Sequence, residues 1–270
     1  MPDTFRARLE RVIAASGRLC VGIDPHVGLL AGWGLPATAA GAREFGLRVV
    51  DAAAGRVGVV KPQVAFFERY GSAGYTALED VLAAARSAGL LIIADGKRGD
   101  IGTTVEAYGE AWLTPGWPLE ADALTVVAYQ GLGSLEPVIS QADSTGKGLF
   151  VLTATSNPEA ESTQRAVRAD GRSLAAGIVA DIRDRDSQSL GVVIGATVEP
   201  GAYGIAPSDL TGLPVLSPGF GVQGAALADA ARLFGPAYAL TLANVSRSVL
   251  GAGPDGLVAA IMSAKGELGE

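Results

Sequence analysis

Short apolar runs separated by longer amphipathic stretches recur along the whole chain. The runs are rich in Val, Leu, Ile and Ala and lack the polar alternation of a half-exposed strand. Such runs predict strands that are buried on both faces, as in a parallel sheet. They lie at residues 19–26, 57–63, 90–95, 122–127, 148–153, 191–196, 213–219 and 237–243.

Between these runs, apolar residues recur at helical spacing, and capping residues such as Thr38 and Gly89 stand at helix ends. The predicted helices cover residues 1–11, 38–54, 73–88, 104–112, 133–141, 173–186 and 256–268. Strands that alternate with helices in this way predict an α/β fold, a (β/α)8 TIM barrel, whose usual length is about 250 residues. An open doubly wound sheet is the alternative, but eight evenly spaced units favour closure.

Glycine and proline are spread over turn positions and form no linker. The chain has 37 glycines and 14 prolines in 270 residues, and no run of them marks a boundary between domains. We therefore expect one barrel domain over residues 1–270.

Polar residues stand where several predicted strands end. Asp24 ends the first strand, Lys61 the second and Asp95 the third, and Ser156 follows the fifth. All strands of a TIM barrel end at the same face, where barrel enzymes place their chemistry. The sequence therefore predicts a charged site at that face.

The densest charge cluster follows the third strand, in the segment from Asp95 to Asp100. Side chains alternate along a strand, so Asp95 and Lys97 share one face and Arg98 leans the other way. Asp100 comes three residues after Lys97, and an ammonium held between two carboxylates stays protonated. Such a lysine can donate a proton but is a poor base. An ordinary surface ion pair is the alternative, but four charges directly after a buried strand favour a functional role.

A candidate phosphate site follows the last two strands. Residues 217–225 are rich in glycine and could present backbone N–H groups to an anion. Arg247 lies after the eighth strand, at the predicted start of a short helix. Amide dipoles and a guanidinium together can hold a dianion, although a glycine-rich turn alone is weak evidence.

Composition narrows the class of protein. The chain is 49% hydrophobic and carries a net charge of −7, which argues against a nucleic-acid binder. No apolar stretch reaches the roughly 18 residues of a membrane span, and no apolar signal segment opens the sequence. The single cysteine, Cys20, excludes a disulfide within the chain and suits a reducing cytoplasm. The single histidine, His26, could sit beside the site or in a turn, and a catalytic triad or histidine metal site would have to centre on it.

Several motifs together resemble the orotidine 5′-phosphate decarboxylase family, in particular its longer bacterial, mycobacterial-like (type 2) form. The D-x-K-x-x-D-I motif, here Asp95 to Ile101 and followed by Thr104, is shared with sugar-phosphate relatives, whereas the full set is specific to the decarboxylase. The remaining motifs are Val21-Gly22-Ile23-Asp24-Pro25, Val60-Lys61-Pro62-Gln63, Ala154-Thr155-Ser156-Asn157-Pro158, Ser217-Pro218-Gly219-Phe220-Gly221 and Val245-Ser246-Arg247-Ser248.

The resemblance implies roles for individual residues. Asp24 and Lys61 would contact the ribose hydroxyls and connect to the array of Asp95 and Lys97, and Ser156 would bind the ring amide. Pro218, Gln223 and Arg247 would complete the substrate site, the last two at the phosphate. Extra residues between the fifth and seventh strands, including 197–208, make the placement of Gln223 less secure.

The resemblance also implies a homodimer with shared active sites. Asp100, Ile101 and Thr104 would reach into the site of the partner subunit. A nucleotide is the expected substrate, and neither nucleic acid nor a membrane is an expected partner.

The implied reaction is the cofactor-free conversion of orotidine 5′-phosphate to uridine 5′-phosphate and CO₂ in de novo pyrimidine biosynthesis. Loss of CO₂ leaves a localised carbanion, which Lys97, set between Asp95 and Asp100, would stabilise and then protonate. We expect no metal and no organic cofactor.

Two other functions stay open at this point. A magnesium-dependent sugar-phosphate lyase or decarboxylase of the same superfamily would use the carboxylates as metal ligands, although Lys61 beside the array argues against it. A non-catalytic sensor of phosphorylated ligands would bind without turnover.

Overall fold

Eight parallel strands close into a barrel in a computed structural model that describes residues 3–185, 187–222 and 224–270. Each strand pairs with the next along the chain, and β8 closes the ring against β1, with Cys20 opposite Asn244. The predicted TIM barrel is confirmed, and the open-sheet alternative is wrong. The strands are β1 (Leu19–Ile23), β2 (Val59–Pro62), β3 (Leu91–Arg98), β4 (Ala123–Val126), β5 (Gly148–Ala154), β6 (Leu190–Ile194), β7 (Val215–Pro218) and β8 (Thr241–Val245).

Helices surround the barrel and connect its strands. They are α1 (Phe5–Ser16), α2 (Val27–Gly32), α3 (Ala39–Ala53), α4 (Ala65–Glu68), α5 (Gly71–Ser87), α6 (Gly102–Leu113), α7 (Glu136–Thr145), α8 (Pro158–Gln164), α9 (Leu174–Arg183), α10 (Pro207–Leu210), α11 (Ala230–Phe234), α12 (Arg247–Leu250) and α13 (Gly253–Glu267). Short 3-10 segments lie at Leu132–Leu135, Pro200–Tyr203, Leu227–Asp229 and Gly235–Leu240. In the described part of the chain, no helix is long and apolar enough to cross a membrane.

The strands lack polar alternation because both of their faces are covered. Outward side chains such as Val60 and Ile92 pack against the helices, whereas inward side chains such as Val59 and Ile93 fill the barrel. The amino-terminal end of the barrel is filled by α1, whose Phe5 is fully buried and meets Phe150 edge-on at 5.8 Å between ring centres. The site can therefore open only at the opposite end.

Gly148 at the start of β5 permits this close approach of α1. A Cβ at Gly148 would lie 2.5 Å from the Phe5 ring, so we expect Gly148→Ala to lower the free energy of unfolding by about 1–3 kcal/mol. Gly266→Ala in α13 is the matched control, because no atom lies within 4 Å of a Cβ there and alanine favours a helix. Urea unfolding of both variants checks this, and equal stabilities would contradict the tight packing.

The eighth predicted strand, 237–243, is wrong in its position. Residues Gly235–Leu240 form a 3-10 segment, and β8 begins only at Thr241. Gly235 has a φ of 47° and Pro236 lacks an N–H, so the chain turns there instead of joining the sheet. Ala237 and Leu240 are buried all the same, which is why an apolar run alone could not distinguish the two structures.

Helix ends differ from prediction where capping decides them. The first helix, predicted at 1–11, runs from 5 to 16 because Thr4 caps it through a hydrogen bond from Ala7 N–H; Met1 and Pro2 lie outside the described residues. The helix predicted at 173–186 ends at Arg183, and Asp186 also lies outside the described residues. The stretch predicted as one helix at 133–141 is a 3-10 turn followed by α7. Short loop helices were not predicted: α2, α4, α8, α10 and α11.

Candidate active site

A cavity of about 260 Å³ opens at the carboxyl ends of the strands. Its walls are formed by residues from several strands and from the loops that follow them, because all strands of a TIM barrel end at the same face. They include Asp24, Lys61, Gln63, Asp95, Lys97, Thr125, Leu152, Thr155, Pro218, Asn244, Ser246, Arg247 and Ser248.

Asp95 is the centre of the charged array. Its Oδ2 accepts a hydrogen bond from Lys61 Nζ at 2.8 Å, and its Oδ1 accepts one from Lys97 Nζ at 2.6 Å and one from Thr125 Oγ1 at 2.8 Å. Lys61 lies on β2, Asp95 and Lys97 on β3, and Thr125 on β4, so three neighbouring strands build the array. Asp95 and Lys61 are buried, and charge-assisted bonds of this kind are among the stronger ones in proteins.

Mutual attraction keeps both buried groups of this array charged. Burial by itself would lower the pKa of Lys61, but the charges of Asp95 and Asp24 outweigh burial and raise that pKa above the usual lysine value. Burial would likewise raise the pKa of Asp95, but Lys61 and Lys97 outweigh it and hold that pKa below the usual range. The array therefore carries one carboxylate and at least one buried ammonium at neutral pH.

Lys97 has an unusual backbone. Its φ is 46°, the only positive value at a non-glycine residue in the described ranges. A left-handed conformation at such a residue costs about 1–3 kcal/mol and concentrates at functional sites. The Lys97 side chain is 46% exposed to the cavity and its surroundings, so its ammonium is accessible to a ligand while it remains paired with Asp95.

Asp24 presents a free acceptor to the cavity. Its Oδ1 is buried and has no hydrogen-bond partner among the described residues. A buried carboxylate oxygen without a partner is costly, so it indicates a ligand that supplies a donor. A hydroxyl group between Asp24 and Lys61 would satisfy it.

The loops after β7 and β8 approach each other at the cavity. Gly221 has a φ of 78°, and a Cβ there would lie 2.7 Å from the Ser248 side chain. Arg247 lines the cavity and begins α12, as predicted, and Pro218, which pairs with Asn244 at the end of β7, also lines it. Gln223, the other predicted phosphate ligand, lies outside the described residues.

Four predicted site residues do not line the cavity of their own chain. Asp100 Oδ1 accepts a hydrogen bond from the Ile101 N–H at 2.8 Å, and Asp95 is the one carboxylate within ion-pair distance of Lys97 in the described part of the chain. The expected second carboxylate beside Lys97 is therefore not supplied from within the chain. Ile101 is 59% exposed, and Thr104 is exposed on α6. Ser156 is exposed, and its neighbour Thr155 lines the cavity instead.

Sequence reasoning assigned no role to six polar residues of the cavity, and three of them, Thr125, Gln63 and Asn244, hydrogen-bond to residues of the barrel strands. Thr125 is the one polar side chain inside the apolar run of β4, and that interruption was its only signal. Gln63 Nε2 donates to the Asp95 carbonyl at 3.3 Å, and Asn244 Nδ2 donates to the Cys20 carbonyl at 3.1 Å. The shifted position of β8 hid Asn244.

His26 and Cys20 do not line the cavity. The His26 Nδ1 accepts a hydrogen bond from the Leu29 N–H and caps α2, which is the turn role that the sequence left open. Cys20 is fully buried, and burial raises the pKa of its thiol to about 12. It is therefore a core residue and an unreactive thiol. Within the described ranges, no group of three or more His, Cys, Asp or Glu side chains is placed to hold a metal ion.

Fold and site together define a class. A closed (β/α)8 barrel with a lysine–aspartate–lysine array and an arginine at the carboxyl ends of its strands is typical of a TIM-barrel enzyme. The model of the orotidine 5′-phosphate decarboxylase / HUMPS family matches residues 17–261. The chain belongs to this family, and the resemblance read from its motifs is confirmed.

Known relatives cover nearly the whole chain. Orotidine 5′-phosphate decarboxylase of Streptomyces coelicolor is 48% identical over 94% of this chain and 92% of its own length, and that of a Nocardioides species is 49% identical over 91% of each. A crystal structure described as this enzyme from Streptomyces avermitilis superposes with a TM-score of 0.92 at 46% identity, covering 99% of this chain and 95% of the other. The relatives are carboxy-lyases, and the chain is an enzyme of that class.

Proposed function

We propose that the protein converts orotidine 5′-phosphate to uridine 5′-phosphate and CO₂ in pyrimidine biosynthesis, and that it does so in the cytoplasm, where its single buried thiol is in keeping with a reducing medium. The observation that carries the proposal is the array in which Asp95 accepts hydrogen bonds from both Lys61 and Lys97, at 2.8 and 2.6 Å. The names of the similar chains support the choice of substrate.

The cavity offers separate places for the parts of this substrate. Arg247 and the loop after β7 suit the phosphate, because a guanidinium binds a dianion through charge-assisted hydrogen bonds. The free Oδ1 of Asp24 and the ammonium of Lys61 suit ribose hydroxyls, which both donate and accept. The reacting ring then lies toward Lys97. Ser156, whose neighbour Thr155 lines the cavity, is proposed to contact the ring amide, and Gln223 the phosphate.

Lys97 supplies the chemistry in this proposal. The bond between the ring carbon and the carboxylate breaks, CO₂ leaves as a neutral molecule, and the electron pair stays on the ring carbon. The Lys97 ammonium stabilises that charge and then gives its proton to the carbon. Because its side chain is 46% exposed, Lys97 can recover a proton from solvent after product leaves. Binding energy from the phosphate, remote from the reacting carbon, supports this step.

A magnesium-dependent sugar-phosphate reaction is the competing proposal, and the charge of the array disfavours it. Both oxygens of Asp95 already accept hydrogen bonds from ammonium groups, which would repel a divalent cation. We therefore expect turnover of orotidine 5′-phosphate to survive exhaustive EDTA treatment unchanged. An established magnesium-dependent lyase in the same buffer is the control. Activity that disappears with chelator and returns with Mg²⁺ would favour the competitor.

Removal of the Arg247 guanidinium should weaken substrate binding and catalysis together. A hydrogen bond to a charged group contributes about 1.5–3 kcal/mol, so we expect Arg247→Ala to lower kcat/KM by about 10- to 100-fold, with partial recovery when guanidinium is added. Arg232→Ala on α11 is the matched control, because that side chain is 72% exposed and lies outside the cavity. Steady-state kinetics on both variants test this, and unchanged kinetics of Arg247→Ala would remove Arg247 from the site.

We assign Asp100, Ile101 and Thr104 to the site of a partner subunit in a homodimer. None of the three lines the cavity of its own chain, and Ile101 is an exposed apolar side chain on the loop that follows the array. Lys97 has one carboxylate partner within the described chain, so a second one from a partner would complete the array.

Mixed dimers test the shared site. Lys97→Ala and Asp100→Ala homodimers should each be inactive, but a mixture refolded together should regain about a quarter of wild-type activity, because half of the dimers then hold one intact site. The same mixture without subunit exchange is the control. If Asp100 instead acts in the site of its own chain, both sites of a mixed dimer are inactive and mixing restores no activity. That result would overturn the assignment of Asp100 to the partner's site.

A further inference from the structure

The hydroxyl of Thr125 hydrogen-bonds to two residues of the charged array, Asp95 and Lys97. It lies inside the barrel on β4, 1% exposed, at the edge of the cavity. Its Oγ1 donates to Asp95 Oδ1 at 2.8 Å and accepts the backbone N–H of Lys97 at 2.9 Å. One side chain therefore contacts both the buried carboxylate and the strained backbone of the lysine beside it.

The direction of these two bonds is fixed by chemistry. A backbone N–H can only donate, so the Thr125 oxygen must accept from Lys97. An ionised carboxylate can only accept, so the one Thr125 proton must go to Asp95. No other arrangement satisfies all three groups, which gives the hydroxyl a defined orientation in the ligand-free protein.

We propose that Thr125 is a positioning residue for the decarboxylation proposed above: its hydroxyl holds the Asp95 carboxylate in the plane that meets both lysines and ties the Lys97 backbone in its left-handed conformation. Without the hydroxyl, Asp95 Oδ1 keeps only the Lys97 ammonium, whose side chain is half exposed. The Lys97 N–H would lose its partner at the same time, at a residue that is already strained.

The groups around Asp95 explain why a neutral donor matters on this side. Lys61 approaches from β2 and Lys97 from β3 itself, and Asp24, which follows β1, is the second acid near Lys61. From β4, Thr125 is the side chain that hydrogen-bonds the carboxylate in the described chain. The hydrogen bond from Thr125 is the third one that the Asp95 carboxylate accepts, and its donor is neutral. It therefore fixes the orientation of the carboxylate without adding a charge to the site.

Thr125→Val removes the hydroxyl and keeps the shape of the side chain. We expect kcat to fall about 10- to 100-fold with KM changed less than about threefold, because the phosphate and ribose contacts stay in place. The acid limb of the pH profile should move to higher pH, since the carboxylate loses a donor that favours its charged form. Thr125→Ser, which keeps the hydroxyl, should recover most of kcat.

Thr153→Val is the matched control. Thr153 is also 1% exposed, lies on the adjacent strand β5 and bonds only to its own strand at the Val151 carbonyl, outside the cavity. Its replacement should leave kcat and the pH profile unchanged. Equal losses in the two valine variants would show a packing effect and overturn the proposal, as would a Thr125→Val enzyme with wild-type kcat and acid limb. Thr125→Ala takes the place of the valine variant should the latter not fold.

A measurement on the ligand-free protein separates this inference from the proposed function. The ¹³C carboxyl resonance of Asp95 is followed against pH in the wild type, Thr125→Val and Thr153→Val. We expect the Asp95 titration to move to higher pH only in Thr125→Val, and an unmoved titration would overturn the positioning role. A wild type that does not decarboxylate orotidine 5′-phosphate would remove the proposed reaction and leave this result to be judged by itself.

Discussion

Lys97→Ala should lower the turnover of orotidine 5′-phosphate by about 10⁴-fold or more, because in the proposed mechanism one ammonium supplies both electrostatic stabilisation and the proton. Binding of uridine 5′-phosphate should persist, since Asp24, Lys61 and Arg247 remain in the cavity. The alanine variant should also stay folded, because Lys97 is half exposed and leaves Asp95 paired with the buried Lys61. Single-turnover kinetics and calorimetric titration with uridine 5′-phosphate measure the two effects separately.

Lys97→Arg divides the role of charge from that of proton transfer. Arginine keeps the cation, but its guanidinium does not release a proton at accessible pH, so we expect this variant to bind nucleotide and remain nearly inactive. An alanine variant that keeps more than about a hundredth of the rate would be incompatible with the mechanism, since a general acid alone contributes at least about 10²-fold. A wild type that binds nucleotide and turns nothing over would support the sensor.

Asp95→Asn should damage both stability and activity. The change leaves Lys61, which is 4% exposed, as a buried cation with only Asp24 near it. Removing one partner of a buried ion pair costs about 3–5 kcal/mol, so we expect a loss of this size in the free energy of unfolding and turnover reduced by about 10³-fold or more. Asp80→Asn is the control, because the Arg43–Asp80 pair is nearly half exposed and its loss should cost less than about 1 kcal/mol.

The pH dependence of stability gives this prediction a sign. In the wild type, the lowered pKa of Asp95 contributes stability above the unfolded value of about 3.9, and the contribution is lost as pH falls toward the folded value. The raised pKa of Lys61 contributes stability below about 10.4, and this is lost as pH rises through the folded value. Between these limits the contribution is constant.

In Asp95→Asn, burial of Lys61 favours its neutral form. The unfolded chain then binds more protons than the folded one near pH 9, so the free energy of unfolding should rise with pH there instead of staying level. Urea unfolding from about pH 6 to pH 10 would show this slope, and level stability in the variant would mean that Asp24 alone suffices to hold the Lys61 charge.

The barrel could be predicted because each buried strand is one short apolar run. The apolar run at 90–95 has charge only at its end, and β3 begins within it, at Leu91. The strand continues beyond the run to Arg98. The eighth strand was placed wrongly for a physical reason, since residues 237–240 are as apolar as a strand, and Ala237 and Leu240 are buried although they lie in a 3-10 segment. Local sequence gave no means to tell these structures apart.

The site was predictable where spacing along one strand decided it. Asp95 and Lys97 are two residues apart on β3, and their side chains meet as alternation predicts, although the strand is irregular between Ala94 and Arg98. The hydrogen bond from Lys61 to Asp95 Oδ2 depends on how β2 is aligned with β3, and the contact of Thr125 depends on how β4 is aligned with β3. No single stretch of sequence contains either alignment. Asp100 stands only three residues beyond Lys97, yet its carboxylate turns to the Ile101 N–H.

The packing of Phe5 against Phe150 at the amino-terminal end of the barrel limits the routes by which carbon dioxide, the proposed product, can leave the site. Phe5 and Phe150 pack together in the core beneath the array, so in the described structure we expect carbon dioxide to leave past the uracil nucleotide, through the opening by which the substrate enters. An inhibitor bound in this opening would therefore block both the entry of substrate and the release of carbon dioxide.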